Sequence, residues 1–268
     1  MTLQLLDHFL LSQLFTFLML LCRIGACIMV MPGIGDNYIP MRVKILLTAS
    51  MAILLTPALA SSMPAMPASP ISLTLVILSE VLIGVFIGMI ARLLVSAMNA
   101  AGTIIANQSS LAIASVFDAN AGVQTAIVSN FFTITVICLF FILGLHHLVI
   151  GAVIASYGTF PVGTWPNIGD MSDVIIRTVA DAFLLGVQFS MPHIVFSLIL
   201  YMVAGIMARL MPTFQVFFVM MPAQILAAFM LLIVVIAPMM TIYMGTLNDR
   251  LLELTPSIGR TPLSQEAP

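Results

Sequence analysis

The sequence predicts an all-α protein of integral membrane type, built from about six long, partly broken hydrophobic helices arranged as helical hairpins. The first observation is composition, since 62% of the 268 residues are hydrophobic and only 7% are charged. A soluble domain is roughly 45–50% apolar and about 25% charged, so this chain has too few charges to cover a surface that faces water. The second observation is that the apolar residues do not alternate with polar ones, which favours helices over a barrel in a bilayer.

Six apolar stretches are long enough to span a bilayer, because a spanning helix needs about 20 residues. They are residues 8–31, 42–61, 71–98, 123–157, 174–208 and 213–247. We expect the first to be a retained helix, since Asp7 and His8 precede it in place of the basic region of a signal peptide. Proline, glycine and serine mark the breaks, which we predict to be turns or loops at residues 31–40, 61–70 and 156–173.

The fourth and fifth stretches are longer than a simple span requires. The fourth contains the sequence GLHH, and the fifth contains two charged residues and Pro192. We expect both to be broken or re-entrant helices, or helices that do not lie in lipid along their whole length.

Four prolines in the last third of the chain are predicted to kink or end helices, because proline removes a backbone donor. They are Pro192, Pro212, Pro222 and Pro238. A sharp hairpin is expected at Pro212, with Arg209 at its tip. The polar, proline-bearing residues 251–268 are expected to form a flexible tail.

Several charged residues lie within or at the ends of apolar stretches, where an unpaired charge costs at least about 2.5 kcal/mol. They are Glu80, Arg92, Arg177, Asp181 and Arg209. Arg177 and Asp181 are four residues apart and are predicted to pair along one helix.

Glu80 has no such neighbour, but Gly84 and Gly88 continue its helical ridge and would allow another backbone to approach closely. Two interpretations stay open. Glu80 is either a packing element hydrogen-bonded to a neighbouring helix or part of a proton or ion relay.

The sequence offers little for catalysis, a cofactor or a metal. His146 and His147 are adjacent, so on a helix they point about 100° apart and chelate one ion poorly. Cys22, Cys27 and Cys138 form no CxxC pair and suit small apolar filling. No GxSxG, P-loop or GxGxxG motif is present, and the net charge of −2 gives no reason to expect nucleic acid. We therefore expect a protein that is not an enzyme and that has no cofactor.

An ordered set of motifs resembles the family of the flagellar biosynthetic protein FliR and its counterparts in virulence type III secretion (the SctT and YscT proteins). The N-terminal block of residues 23–57 has an arginine, a Pro-Gly turn and a later Pro and Arg, as the family has. Further matching blocks are SEVLIGVFIGM (79–89), AGTIIANQSSLAIASVFDANAG (101–122), LGLHHLVIGAVIASYGTFPVG (143–163), GVQFSMPHI (186–194) and ARLMPTFQVFFVMMPAQI (208–225).

The resemblance implies a subunit of a type III protein export gate in the bacterial inner membrane, at the flagellar basal body. It implies a FliP-like region at residues 1–170 fused to a FliQ-like hairpin at 171–250. The implied partners are FliP-like and FliQ-like subunits, FlhB-like and FlhA-like export proteins, and unfolded secreted proteins as cargo.

The resemblance also implies that the central loop, residues 106–120, projects into the channel and helps to plug it. The apolar residues that would form the seal are Leu111, Ile113, Val116 and Phe117. The polar residues that would stay hydrated or contact neighbouring subunits are Asn107, Gln108, Ser109, Ser110 and Asp118. A buried packing role would fall to Glu80, Gly84, Gly88, Arg92, Arg177, Asp181 and Arg209. An ordinary connecting loop is the alternative to the plug.

Two other functions stay open. A virulence secretion subunit shares the same motifs and differs in its genomic neighbours. A small-solute transporter would show an inverted repeat with paired broken helices, and the two halves of this chain do not look alike.

Overall fold

The computed structural model describes residues 2–60, 63–67, 69–110, 127–211 and 215–253, and all regular structure in these ranges is helical. The helices are α1 (Thr2–Val30), α2 (Met41–Leu59), α3 (Pro70–Gln108), α4 (Ile127–Ile142), α5 (Leu145–Thr159), α6 (Ile168–Leu210) and α7 (Val216–Glu253). Five of these, α1, α2, α3, α6 and α7, are long and apolar enough to cross a membrane. The bent pair of α4 and α5 makes a sixth if it is counted as one span. The predicted all-α membrane architecture is confirmed.

The fourth apolar stretch is broken, as predicted. Its two helices, α4 and α5, meet at an angle of 69°. Gly144 lies at the break with a φ of 71°, in the left-handed region that glycine enters without a steric penalty. The GLHH sequence therefore marks the corner.

The fifth stretch is not broken, which corrects one of the two expectations for it. It forms the single helix α6, and Pro192 lies inside that helix. Pro222 and Pro238 likewise lie inside α7 and end nothing. A proline removes one backbone donor, and the other hydrogen bonds of a long apolar helix are kept, because no water competes for them in a bilayer.

Two boundaries also differ from the expected ones. Helix α3 continues through Asn107 to Gln108, so the loop that was predicted from residue 106 begins later. The small and apolar residues before Asn107 give the helix no reason to stop there. Helix α7 continues to Glu253, so the first residues of the predicted tail are helical. Helix α6 ends at Leu210, just before the expected hairpin at Pro212, and Pro212 itself lies outside the described residues.

The chain divides by contact into two compact units. The first comprises Met1–Leu93, Leu143–Arg177 and Asn248–Pro268, and the second comprises Leu94–Ile142 and Thr178–Leu247. Helices α3, α6 and α7 contribute to both units. The boundary expected near residue 170 was inferred from family resemblance, whereas these units are defined by contacts between residues. That boundary therefore stays a prediction.

Helix α1 is the centre of the first unit, where it packs on α2 and α5. Helix α3 approaches α1 very closely at two glycines. A Cβ atom on Gly84 would collide with the carbonyl oxygen of Arg23, and one on Gly88 would lie 2.8 Å from the carbonyl oxygen of Cys27. The described apolar core around this contact includes Met19, Leu20, Ile24, Met31 and Ile83.

The second unit is also built on close helix contacts. The position of a Cβ on Gly102 of α3 is 2.5 Å from the Cα of Ser129 in α4. The hydroxyl of Tyr243 in α7 donates a hydrogen bond of 2.7 Å to the carbonyl oxygen of Leu94. Phe132 is fully buried beside this contact with Gly102. The glycine at position 102 and the buried hydroxyl of Tyr243 therefore both contribute to helix contacts in this unit.

The contact at Gly84 gives a direct test of the helix packing. Gly84→Ala should lower the thermal stability of the protein, because overpacking a close contact costs about 1–3 kcal/mol. The measurement is the temperature at which half of the detergent-extracted protein is lost from solution on heating.

Gly158→Ala is the matched control, since a Cβ at Gly158 meets no atom within 4 Å. This control should leave stability unchanged or raise it slightly, because alanine favours a helix more than glycine does. Equal stability of Gly84→Ala and the wild type would contradict the close approach of α3 to α1.

Candidate functional site

The first polar cluster lies in the first unit and is centred on Arg23 of α1 and Glu80 of α3. Arg23 Nε donates to Glu80 Oε2 at 2.7 Å, and Arg23 Nη2 donates to Glu80 Oε1 at 2.9 Å. Both residues are fully buried. The two parallel hydrogen bonds form a bidentate ion pair, which is the strongest geometry for arginine and a carboxylate.

Arg23 makes two further hydrogen bonds. Nη1 donates to Ser156 Oγ at 3.0 Å, and Nη2 donates to the carbonyl oxygen of Phe160 at 2.9 Å. The guanidinium carbon lies 3.9 Å from the centre of the Tyr157 ring, a cation–π contact. Helices α1, α3 and α5 therefore all contribute to one buried network. Both oxygens of the Glu80 carboxylate accept a hydrogen bond from the same cation, which favours a structural role for this acid.

Sequence reasoning did not identify Arg23 as the partner of Glu80. A usable signal was present, since Arg23 is the only charged residue inside the first apolar stretch after Asp7 and His8. Two opposite charges in two separate apolar stretches are expected to pair, because each is expensive to bury alone.

A second ion pair joins α3 to the loop between α1 and α2. Arg92 Nη2 lies 3.1 Å from Asp36 Oδ1, and Arg92 Nη1 donates to the carbonyl oxygen of Val30 at 3.2 Å. Lys44 is buried and donates to the carbonyl oxygens of Gly35 and Asp36 at 2.9 and 3.0 Å. The side chain of Arg92 is 50% exposed, so this pair adds little stability by itself.

The remaining arginines of the predicted packing set are not buried by this chain. Arg92, Arg177 and Arg209 are all exposed, in contrast to Glu80, Gly84 and Gly88, which are buried. Asp181 is half-buried on α6, four residues after Arg177. Pairing of these two and burial of the three arginines stay predictions, and burial would need surfaces from other subunits.

The predicted plug lies mostly outside the described residues. This applies to Leu111, Ile113, Val116, Phe117 and Asp118. Of its polar residues, Asn107 and Gln108 belong to the last turn of α3, with Asn107 exposed, and Ser109 and Ser110 form the turn that follows. Ser109 is buried, and its N–H donates to the carbonyl oxygen of Ile105 at 2.9 Å.

A second polar cluster surrounds the end of α3 within the second unit. Gln224 of α7 donates from Nε2 to the carbonyl oxygen of Gln108 at 2.6 Å, and Ser110 Oγ donates to Gln224 Oε1 at 3.1 Å. Ser197 of α6 donates to Gln108 Oε1 at 2.7 Å. No sequence motif pointed to Gln224 or Ser197, although a lone glutamine within an apolar helix such as α7 is a usable signal.

The histidine pair is a feature of the corner between α4 and α5. His147 Nδ1 lies 3.2 Å from the carbonyl oxygen of Gly144, and the rings of His146 and His147 are 4.0 Å apart. Within the described ranges, no three His, Cys, Asp or Glu side chains are grouped so that they could hold a metal ion.

A cavity of about 400 Å³ adjoins the first polar cluster. Its lining includes Phe86, Ser156, Phe160, Asp170 and Met171. Because the lining is mainly apolar, the cavity suits an apolar group better than a reacting polar substrate.

Several known proteins are similar to this chain along most of its length. Flagellar biosynthetic protein FliR of Caulobacter vibrioides is 34% identical over 220 residues, which cover 82% of this chain and 88% of that protein. FliR of Bacillus subtilis is 27% identical over 223 residues, covering 81% and 85%. Yop proteins translocation protein T of Yersinia pestis is 26% identical over 231 residues, covering 85% and 88%. The family model described as "Bacterial export proteins, family 1" matches residues 14–249, so the chain belongs to that family.

Proposed function

We propose that this protein is a core subunit of the flagellar type III protein export gate, where it forms part of the channel for unfolded flagellar proteins. The observation that carries the proposal is the 34% identity to FliR of Caulobacter vibrioides along 82% of the chain. The apolar helices are consistent with a multi-pass position in the bacterial inner membrane, at the flagellar basal body. The proposed role is structural, not enzymatic.

The surface of the chain supports membership in a larger assembly. In the most apolar windows of α2, α6 and α7 only 17% of residues are buried, against 44% in α1. Exposed arginines lie on the same helix as exposed apolar residues, as Arg209 does beside Ile206 on α6. Lipid alone accommodates the apolar residues but not the charges. FliP-like and FliQ-like subunits are the proposed neighbours, with FlhB-like and FlhA-like proteins and the cargo as further partners.

The geometry of Glu80 supports the packing role over the relay. A relay group must exchange protons, which needs an accessible and changeable partner. Glu80 is fully buried and is bound on both oxygens by Arg23.

We further propose that the segment after α3 plugs the closed channel through Leu111, Ile113, Val116 and Phe117. The support is the family resemblance of residues 101–122 and the apolar character of these four side chains. Asn107 is exposed at the root of this segment and would contact water or another subunit.

A virulence secretion subunit is the second candidate, favoured by the similarity to Yop proteins translocation protein T. That similarity is 26% identity, lower than the 34% identity to the flagellar relative. Flagellar or needle genes beside the coding sequence would distinguish the two.

The assembly proposal is tested by purification. The chain expressed alone should be polydisperse in mild detergent, because the large apolar faces that α2, α6 and α7 leave exposed would have no partner surface to cover them. Co-expression with the FliP-like and FliQ-like subunits should give one stable complex in size-exclusion chromatography. A deletion strain should lose flagella and regain them from a plasmid copy. A monodisperse, heat-stable chain without partners would count heavily against this proposal.

The role of Glu80 is tested by Glu80→Gln. The amide keeps the shape and part of the hydrogen bonding to Arg23, so the complex should assemble and export nearly normally in motility and secretion assays. Glu80→Ala should reduce assembly strongly, because it leaves Arg23 as an unpaired buried charge, a loss of about 3–5 kcal/mol.

Arg92→Gln is the control, since its ion pair is half exposed. It should have a small effect on assembly. An assembled complex with Glu80→Gln that exports nothing would refute the packing role and establish a relay.

The plug is tested by replacing Ile113, Val116 and Phe117 together with serine. Each apolar side chain is worth about 1.5–3 kcal/mol when fully enclosed, so the closed state should become less favoured. The membrane should leak ions or small molecules while assembly stays normal, as measured by conductance or dye uptake. A normal complex in a membrane as tight as the wild type would show that the segment is a connector.

A further inference from the structure

We propose that Gln224 is a positioning residue that holds the C-terminal end of α3, and thereby the start of the proposed plug, against α6 and α7. This inference rests on the proposed function. The residues that carry it all lie in the second unit, where they form the second polar cluster. This cluster is neutral, in contrast to the ion pair of the first unit.

Gln224 uses both ends of its amide. Nε2 donates to the carbonyl oxygen of Gln108 at 2.6 Å and to Tyr201 Oη at 3.3 Å, while Oε1 accepts from Ser110 Oγ at 3.1 Å. Ser197 completes the cluster by donating to Gln108 Oε1 at 2.7 Å. Three helices and the turn after α3 therefore meet at one side chain.

The partners of Gln224 are those that the end of a helix needs. Gln108 is the last residue of α3, and the final four carbonyls of a helix have no donor within it. Gln224 supplies a donor to one of them from a residue 116 positions away. Because Gln224 is 4% exposed and Ser197 is 3% exposed, water has little access to replace these bonds.

The turn after α3 is held in an unfavourable backbone conformation. Ser110 has a φ of 60°, and it is the only described residue other than glycine with a positive φ. Such a conformation persists where surrounding contacts fix it. The hydrogen bond from Ser110 to Gln224 is such a contact, so Gln224 holds the turn at Ser109 and Ser110 in its conformation.

The decisive variant is Gln224→Met, which keeps the length and volume of the side chain and removes its donors and acceptor. In the purified complex, the amide hydrogens at the end of α3, including that of Ser109, should exchange at least about threefold faster, because this helix end loses its anchor. In cells, the membrane should leak about threefold to tenfold more than the wild type, since loss of a buried hydrogen bond shifts a two-state equilibrium by that order.

Two matched controls separate positioning from general damage. Gln188→Met makes the same substitution at an exposed position of α6. Ser190→Ala removes a buried hydroxyl that bonds only to carbonyls of its own helix, whereas Ser197→Ala removes one that bonds to Gln108. Ser197→Ala should leak and exchange faster, while both controls should resemble the wild type.

Each outcome decides the inference. Normal exchange and a tight membrane with Gln224→Met would overturn the positioning role of Gln224. The proposed plug would survive that result if the variant with serine at Ile113, Val116 and Phe117 still leaks. Faster exchange without leakage from either variant refutes the plug and with it the positioning role. Equal leakage from Gln188→Met also overturns it. If Gln224→Met fails to assemble, Ser110→Ala and Ser197→Ala replace it, and a tight membrane with both is a refutation.

Discussion

The buried ion pair between Arg23 and Glu80 is the interaction on which the first unit depends. Two charges in an apolar interior are acceptable only when each is fully hydrogen-bonded, because the loss of hydration is several kcal/mol for each ion. Arg23 meets most of this requirement with four hydrogen bonds, two to Glu80 and one each to Ser156 and the carbonyl oxygen of Phe160. Any rearrangement that separated α1, α3 and α5 would leave a charge without a partner. The three helices are thus fixed to one another by the penalty for separating them.

The same contact explains why glycines follow Glu80 on α3. Gly84 lies one turn after Glu80, and its Cα faces the carbonyl oxygen of Arg23. The side chain of Arg23 binds the acid while its backbone lies against the glycine. A larger residue at position 84 would move the helices apart and lengthen the hydrogen bonds to Glu80. Close approach and ion pairing are therefore one constraint, and neither holds without the other.

The two polar clusters differ in the strength with which they hold the chain. Breaking a buried ion pair by removing one partner costs about 3–5 kcal/mol, whereas a neutral hydrogen bond contributes about 0.5–1.5 kcal/mol net. The charged cluster joins helices of the first unit, and the neutral cluster holds only the end of α3 and the turn after it. In the proposed gate this difference would be useful, because cargo would have to displace the proposed plug without dismantling the helices. Each neutral hydrogen bond at Gln224 is weak enough to break by itself, and together these bonds return the end of α3 to one position.

The helical membrane architecture, the break at GLHH and the loop at residues 31–40 could be predicted from the sequence. The loop predicted at 156–173 was placed correctly but is shorter, because residues 156–159 and 168–173 belong to α5 and α6. These features are local, because composition, a left-handed glycine and clustered prolines act within a few residues of where they occur. Pro192, Pro222 and Pro238 end no helix, because a long apolar helix keeps its other hydrogen bonds and continues past them. A kink at each of these prolines stays a prediction.

Which polar residues meet depends on the folded arrangement of the helices. Arg23 and Glu80 are 57 positions apart, and Gln108 and Gln224 are 116 apart. Neither pairing can therefore be predicted from the spacing of residues along one helix. The end of α3 at Gln108 was also decided by packing, since Gln224 binds the carbonyl that the helix leaves free. A charge or an amide in an apolar stretch needs a partner, but the local sequence does not show which residue that partner is. Which partner it finds depends on the helices that the fold places beside it.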